Sequence, residues 1–228
     1  MDPAPPDHPS RHDAAGPRLD SAKPTSSRPK EPLVLIALAG VALLVSGIAP
    51  YDRATWALEV FPVVVALAVL LATYRRFPLT RLAYRLLFVH ALILIVGGHY
   101  TYARVPAGFW IQDLFDLARN HYDRLGHVAQ GFVPAIVVRE LLIRLSPLAQ
   151  GGLLWLTVTS ICLAFSALYE LLEWGVAVAA GGGAVEFLGT QGDPWDAQWD
   201  MFLALTGALA AQWLLGRVHD RRLRALPA

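Results

Sequence analysis

Long apolar runs alternate with short polar ones along almost the whole chain. Six runs stand out, at residues 32–49, 54–74, 86–102, 123–142, 151–179 and 199–215. Each approaches the ~20 residues a helix needs to cross a hydrocarbon core. Only a structure that satisfies its own backbone survives there, so helices are expected. The pattern predicts an all-α fold: a polytopic membrane helical bundle with about six transmembrane helices. Most connectors are short, such as Pro50, Tyr51, Asp52 and Arg53 between the first two runs. Short connectors make successive helices antiparallel neighbours.

Two connectors are longer. Residues 75–85, RRFPLTRLAYR, form a basic link. Residues 104–122 read as a loop carrying Asp113, Asp116, Asn120 and His121, with Phe109 and Trp110 suited to the membrane interface. The fourth run is the least hydrophobic and is expected to kink near Pro134. Gly181, Gly182 and Gly183 are expected to end the fifth. Before the first run, residues 1–31 hold seven prolines and little to bury, which predicts a disordered tail rather than a signal peptide. The expected organisation is that tail, a six-helix transmembrane domain over 32–217, and a basic tail over 218–228.

Composition agrees. Of 228 residues 55% are hydrophobic, and mean hydropathy is +0.45. The balance of 19 basic to 18 acidic side chains argues against a nucleic-acid partner. The single cysteine, Cys162, lies within an apolar run and reads as a packing residue.

Charge placement sets the orientation. Six crossings put both termini on one side. With that side cytoplasmic, the inside segments hold the five basic residues of the N-terminal tail, Arg75, Arg76, Arg81, Arg85, Arg139, Arg144, and Arg217, Arg221, Arg222 and Arg224. Only Arg53, Arg104, Arg119 and Arg124 fall outside. A bias of 15 to 4 predicts cytoplasmic N- and C-termini.

That orientation gathers the ionisable residues at the outer face. His99 and Tyr102 end the third run, while Asp123, His127 and Gln130 open the fourth on one helical stripe. Glu170 and Glu173 lie in the outer part of the fifth, with Ser166 one turn earlier, and Asp196 and Asp200 open the sixth. Glu59 lies within the second run, and the inner halves carry almost no such groups. The stretch FLGTQGDPWDAQWDM, 187–201, contains three carboxylates and no Lys or Arg. Asp193 there suits a helix cap and Pro194 a first turn, whereas Asp200 lies beyond cap chemistry.

An ionisable group inside a span costs at least about 2.5–3.5 kcal/mol, so it faces the bundle interior and marks a working site. The candidate catalytic set is therefore His127, Asp123, Glu170, Glu173, Asp196 and Asp200. Substrate contacts are expected from His99, Tyr102, Asn120, Gln130, Gln191, Asp193 and Gln198. Carboxylates and a histidine from facing helices suit a divalent cation, although a Glu-x-x-His pair is lacking, and suit acid–base chemistry equally. No cofactor is fixed by the spacing. The bland alternatives are a His127–Asp123 hydrogen bond, Glu173 against head groups, His99 and Tyr102 as interface anchors, and His90 as a packing residue.

The runs RNHYDRLGHVAQGFVPA (119–135), SALYELLEW (166–174) and FLGTQGDPWDAQWDMFLALTGA (187–208) closely resemble the bacterial inner-membrane family typified by YjdF, whose function is unknown. The likeness covers about 33–217. More distantly the layout is similar to the VanZ-like superfamily, which is associated with reduced sensitivity to glycopeptide antibiotics aimed at a lipid-linked cell-wall precursor. The chain departs from that pattern in its Gly-Asp-Pro-Trp-Asp loop and its several Trp residues. The resemblance implies an outward-facing polar site and no particular reaction. Three readings follow: an enzyme acting on a lipid-linked or envelope substrate, a non-catalytic protein that captures a lipid head group or antibiotic target, and a proton-coupled transporter. The partners expected are membrane lipids or a lipid-linked envelope precursor; nothing in the sequence names a protein partner.

Overall fold

A computed structural model describes Met1 and residues 30–180 and 190–226. Among these residues the fold is all helical, with seven α-helices: α1 (Glu31–Ser46), α2 (Arg53–Thr73), α3 (Arg81–Tyr100), α4 (Pro106–Phe115), α5 (Tyr122–Leu145), α6 (Gly152–Ala180) and α7 (Asp196–Arg224). A 3-10 turn, Tyr102–Arg104, links α3 to α4. Four helices, α2, α3, α6 and α7, are long and apolar enough to cross a membrane; α1 is a shorter apolar helix. The expected glycine break at 181–183 and nearly all of the N-terminal tail lie outside the described residues.

Boundaries follow local chemistry. Asp52 caps α2, its Oδ1 accepting from the Thr55 N–H at 2.7 Å. Thr80 caps α3 by accepting from the Ala83 N–H, so the helix starts at Arg81, inside the stretch read as a basic link. The expected 104–122 loop contains α4, which starts with Pro106 at a position where a missing N–H is harmless. Helix α4 leaves Phe109, Trp110, Leu114 and Phe115 exposed. Helix α5 continues through Pro134 as one element. Helix α7 continues to Arg224, well past the expected end at 215, because no glycine or proline lies between Gly216 and Ala225 to stop it.

Helix α5 is the hub, packing on α3, α6 and α7, while α1 and α2 lie against α3. Its closest partner is α7. A Cβ on Gly131 of α5 would overlap the backbone carbonyl of Ala204, and one on Gly207 of α7 would overlap the Val128 carbonyl. Lipid tails are as apolar as leucine, so small residues that let backbones touch provide the packing that draws helices together. The buried stripe His127, Gly131, Ala135 on α5 thus meets Asp200, Ala204, Ala208 on α7. Ala135, Ile136, Val158, Cys162, Ala208 and Ala211 form a buried apolar layer at this seam and against α6. Outward, Leu44, Phe61, Phe165, Val178 and Trp213 are exposed, a surface suited to lipid.

Candidate functional site

One helical turn above the Gly131–Ala204 contact, the same register sets His127 against Asp200. Both are buried. His127 Nε2 lies 3.8 Å from Asp200 Oδ2 and 3.6 Å from Asp123 Oδ1. On the other edge of the ring, Nδ1 lies 2.8 Å from Gln130 Oε1 and 3.8 Å from Glu170 Oε1. Two oxygens face Nδ1 and only Gln130 Oε1 is within hydrogen-bond reach, a contact that favours the tautomer with the proton on Nδ1. The Nε2 lone pair then points between two carboxylates. One donor atom from each of Asp123, His127 and Asp200 lies within 4.8 Å of the others.

Two residues outside the expected set belong to this cluster. Glu59 of α2 is buried and accepts from the Tyr169 hydroxyl at 3.3 Å. The Tyr169 ring stacks edge-on to His127, with centroids 6.5 Å apart. Glu173 is within electrostatic reach of Glu59, Glu170 and Asp123. Ser166, fully buried one turn before Glu170, leaves its hydroxyl without a partner. The signal for Glu59 was present in the sequence, as an acidic residue within an apolar span. Tyr169 carried no signal, since an aromatic in an apolar run reads as packing.

Above the cluster lies a salt-bridged collar. Arg119 donates to Asp196 Oδ1 at 2.6 Å and to the Thr190 carbonyl at 3.0 Å, and it lies 3.6 Å from Asp193. Arg124 pairs with Asp193 at 2.9 Å and lies over the Trp199 ring. The Asn120 N–H donates to Gln191 Oε1, and Gln191 Nε2 returns a bond to the Asn120 carbonyl. Asp193 also accepts from the Trp195 N–H at 2.9 Å, but Trp195 holds the cap position and α7 starts at Asp196, so Asp193 and Pro194 precede the helix. His121, beside the collar, has its pKa lowered by partial burial and by the Arg124 and Arg119 charges.

The other expected residues sit further out. Tyr102 is buried against Tyr122, with ring centroids 5.8 Å apart. His99 is turned to the α1–α2 connection, its Nδ1 2.8 Å from the Ser46 carbonyl. Gln198 is exposed on the far face of α7. Asp196 is held in the collar by Arg119 and does not reach His127.

The opposite end corrects one expectation. Glu140 and His219 are fully buried there, about 20 Å along α5 from His127 at 1.5 Å per residue. Glu140 accepts from the Thr80 N–H and hydroxyl at 2.8 and 2.7 Å and from Arg144 at 2.9 Å. Its Oε2 is 3.1 Å from His219 Nε2, and Arg139 donates to His219 Nδ1 at 3.0 Å and pairs with Asp220 at 2.7 Å. Arg139 and His219 read as a loop charge and a tail residue in sequence, yet α5 and α7 both extend far enough to bury them against each other.

At the His127 cluster, Asp123, Glu170 and Asp200 surround one imidazole, with Glu59 within electrostatic reach, in a largely buried setting. Such packing demands a shared proton or a bound cation. The cluster can therefore act as an acid–base pair or as a cation site.

Comparison with known proteins places the chain. Residues 31–221 match the family described as "Predicted membrane protein (DUF2238)". The chain is 50% identical over 201 residues to "Inner membrane protein YjdF" of Escherichia coli (strain K12), covering 87% of this chain and 96% of that protein. No solved structure matches. A multi-pass helical chain with a buried Asp/His cluster, matched over nearly its whole length, belongs to the YjdF family of inner-membrane proteins.

Proposed function

We propose that this is a membrane-embedded enzyme acting on a lipid-linked or envelope substrate through a polar pocket on the outer side of the inner membrane. In this reading α1, α2, α3, α5, α6 and α7 cross the bilayer with both termini cytoplasmic. Helix α4 lies at the outer surface on Phe109, Trp110 and Phe115. The arginine bias supports that orientation, as does the clustering of Arg144 and Arg139 at the end opposite His127. His127 serves as acid or base. Asp123, Glu170, Glu173 and Asp200 orient it or hold a cation, and Asp196 acts from the collar, where Arg119 holds it. Asn120, Gln191 and Asp193 frame the approach from the collar, and Gln130 orients His127 from within the pocket.

The observation that carries this reading is the buried His127, its Nδ1 fixed by Gln130 and its Nε2 directed between Asp123 and Asp200. A purely structural histidine has no need of so many carboxylates.

A second reading is non-catalytic capture of a lipid head group or antibiotic target, favoured by the exposed aromatics of α4 and by Trp195 and Trp199 at the rim. Proton-coupled transport is disfavoured by the apolar layer of Ala135, Ile136, Val158 and Cys162 between the two polar ends.

Lipid profiling separates the first two. Membranes from cells expressing the protein at equal levels as wild type, His127→Ala or Asp200→Asn would be compared by mass spectrometry. An enzyme changes the abundance of at least one lipid or lipid-linked species only as wild type. A capture protein leaves the profile unchanged and copurifies with a lipid. Identical profiles without a copurifying lipid would reject both.

A further inference from the structure

We infer that Asp123, His127 and Asp200 are the three protein ligands of a divalent cation of the zinc or manganese type. Three independent features point to it. The first is the tautomer. A metal-binding histidine donates its other ring N–H to a fixed acceptor, which aims the free nitrogen at the ion. Gln130 Oε1, 2.8 Å from Nδ1, suits that role, and the carboxylate oxygens facing Nε2 stand at 3.6 and 3.8 Å.

The second is spacing. Were Nε2–H hydrogen-bonded to a carboxylate, the pair would close to about 2.7–2.9 Å. Instead Asp123 and Asp200 stand back at 3.6 and 3.8 Å, on separate helices. Donors about 2.1 Å from a four-coordinate ion lie about 3.4 Å apart, close to that geometry. Three protein ligands leave a fourth position open to water or to an oxygen of a bound molecule, the arrangement of catalytic rather than structural sites.

The third is unmet bonding. Asp200 is 2% exposed, and among the described residues its Oδ1 has no hydrogen-bond partner, nor has Glu170 Oε1. A buried carboxylate oxygen left bare costs about 1–3 kcal/mol or more, and a cation removes that cost. The mixed imidazole and carboxylate set suits zinc or manganese better than a thiolate-seeking metal.

The ion occupies the pocket of the proposed function, and it deepens that reading. Its test reads metal rather than lipid chemistry, so bound metal with an unchanged lipid profile would sink the enzyme reading alone.

The protein would be purified in mild detergent without chelator and its metals measured by elemental mass spectrometry. Wild type and Asp113→Asn, at an exposed position on α4, should carry about one equivalent of zinc or manganese, and His127→Ala and Asp200→Ala less than about a tenth of that. Chelator-stripped wild type should regain thermal stability on adding zinc or manganese chloride, and His127→Ala should not. If the alanine variants fail gel filtration, Gln130→Ala and Asp200→Asn keep the test alive, with affinity expected to fall about 10- to 100-fold. Metal-free wild type that gains no stability from added zinc or manganese would overturn the inference. So would metal retained undiminished by both alanine variants.

Discussion

Gly131 of α5 rests on the backbone carbonyl of Ala204 of α7, and one turn further out along both helices His127 faces Asp200. The contact of small residues is what brings the two polar side chains within reach. Gly131→Ala should therefore push the helices apart, at a cost of about 1–3 kcal/mol in stability. Unfolding in micelles would measure it. Gly40→Ala, where a new Cβ meets nothing within 4 Å, should be neutral or stabilise by about 0.5–1 kcal/mol. Equal effects of the two substitutions would mean that the seam tolerates separation.

The buried Glu140 holds four groups from three segments: Thr80, Arg144, His219 and, through His219, Arg139. Glu140→Ala removes the carboxylate from the Thr80 N–H and hydroxyl, from His219 Nε2 and from Arg144, although Arg139 keeps Asp220 and Arg144 keeps the Pro78 carbonyl. Breaking a buried pair on one side costs about 3–5 kcal/mol. The loss should appear as a large drop in thermal midpoint. Substitution at this end should leave the metal content of the His127 pocket unchanged in whatever fraction folds. A drop no larger than that of an exposed substitution would show the network to be solvated.

Gln191 adopts φ 48 in the left-handed region and ties its side chain to both backbone groups of Asn120. Gln191→Ala removes two hydrogen bonds worth about 0.5–1.5 kcal/mol each. Amide exchange over residues 190–195 should quicken, with little change in the core helices. Unchanged exchange would mean that Arg119, through the Thr190 carbonyl and Asp196, holds the loop without help.

His121 gives a pH dependence of definite sign. Its folded pKa is lowered by partial burial and by Arg124 and Arg119, so the unfolded chain binds the proton more readily. Above the ordinary histidine value of about 6.5 both states are neutral and His121 contributes nothing to the slope. As pH falls below that value, unfolding takes up a proton and stability declines. His121→Gln should show a shallower decline between pH 7 and 5 in thermal unfolding. A steeper one would reverse the assigned sign.

Much of the site was legible before any tertiary contact was known. Asp123, His127 and Gln130 share a stripe because helical spacing is fixed, and Asp200 reads as more than a cap because it lies beyond the first turn. Glu170 was legible for the same reason as Glu59: a charge in an apolar run has to face inward. Gln198 lies exposed on α7 while Asp200 is buried, because nearness in sequence says nothing about facing the same way on a helix. Asp196 shares the α7 stripe with Asp200, yet it is captured by Arg119, a loop residue that no periodicity connects to it.

The sequence by itself determined the helical class and the membrane setting, because apolar runs of that length leave a helix as the structure that satisfies its own backbone. Only the tertiary structure decided which side chains meet. Rotation about a helix axis and the register between helices are set by contacts such as Gly131 with Ala204, and one-dimensional spacing contains neither. That is why the His127–Asp200 pairing, the arrival of Glu59 from α2, and the burial of Glu140 with His219 came from packing alone.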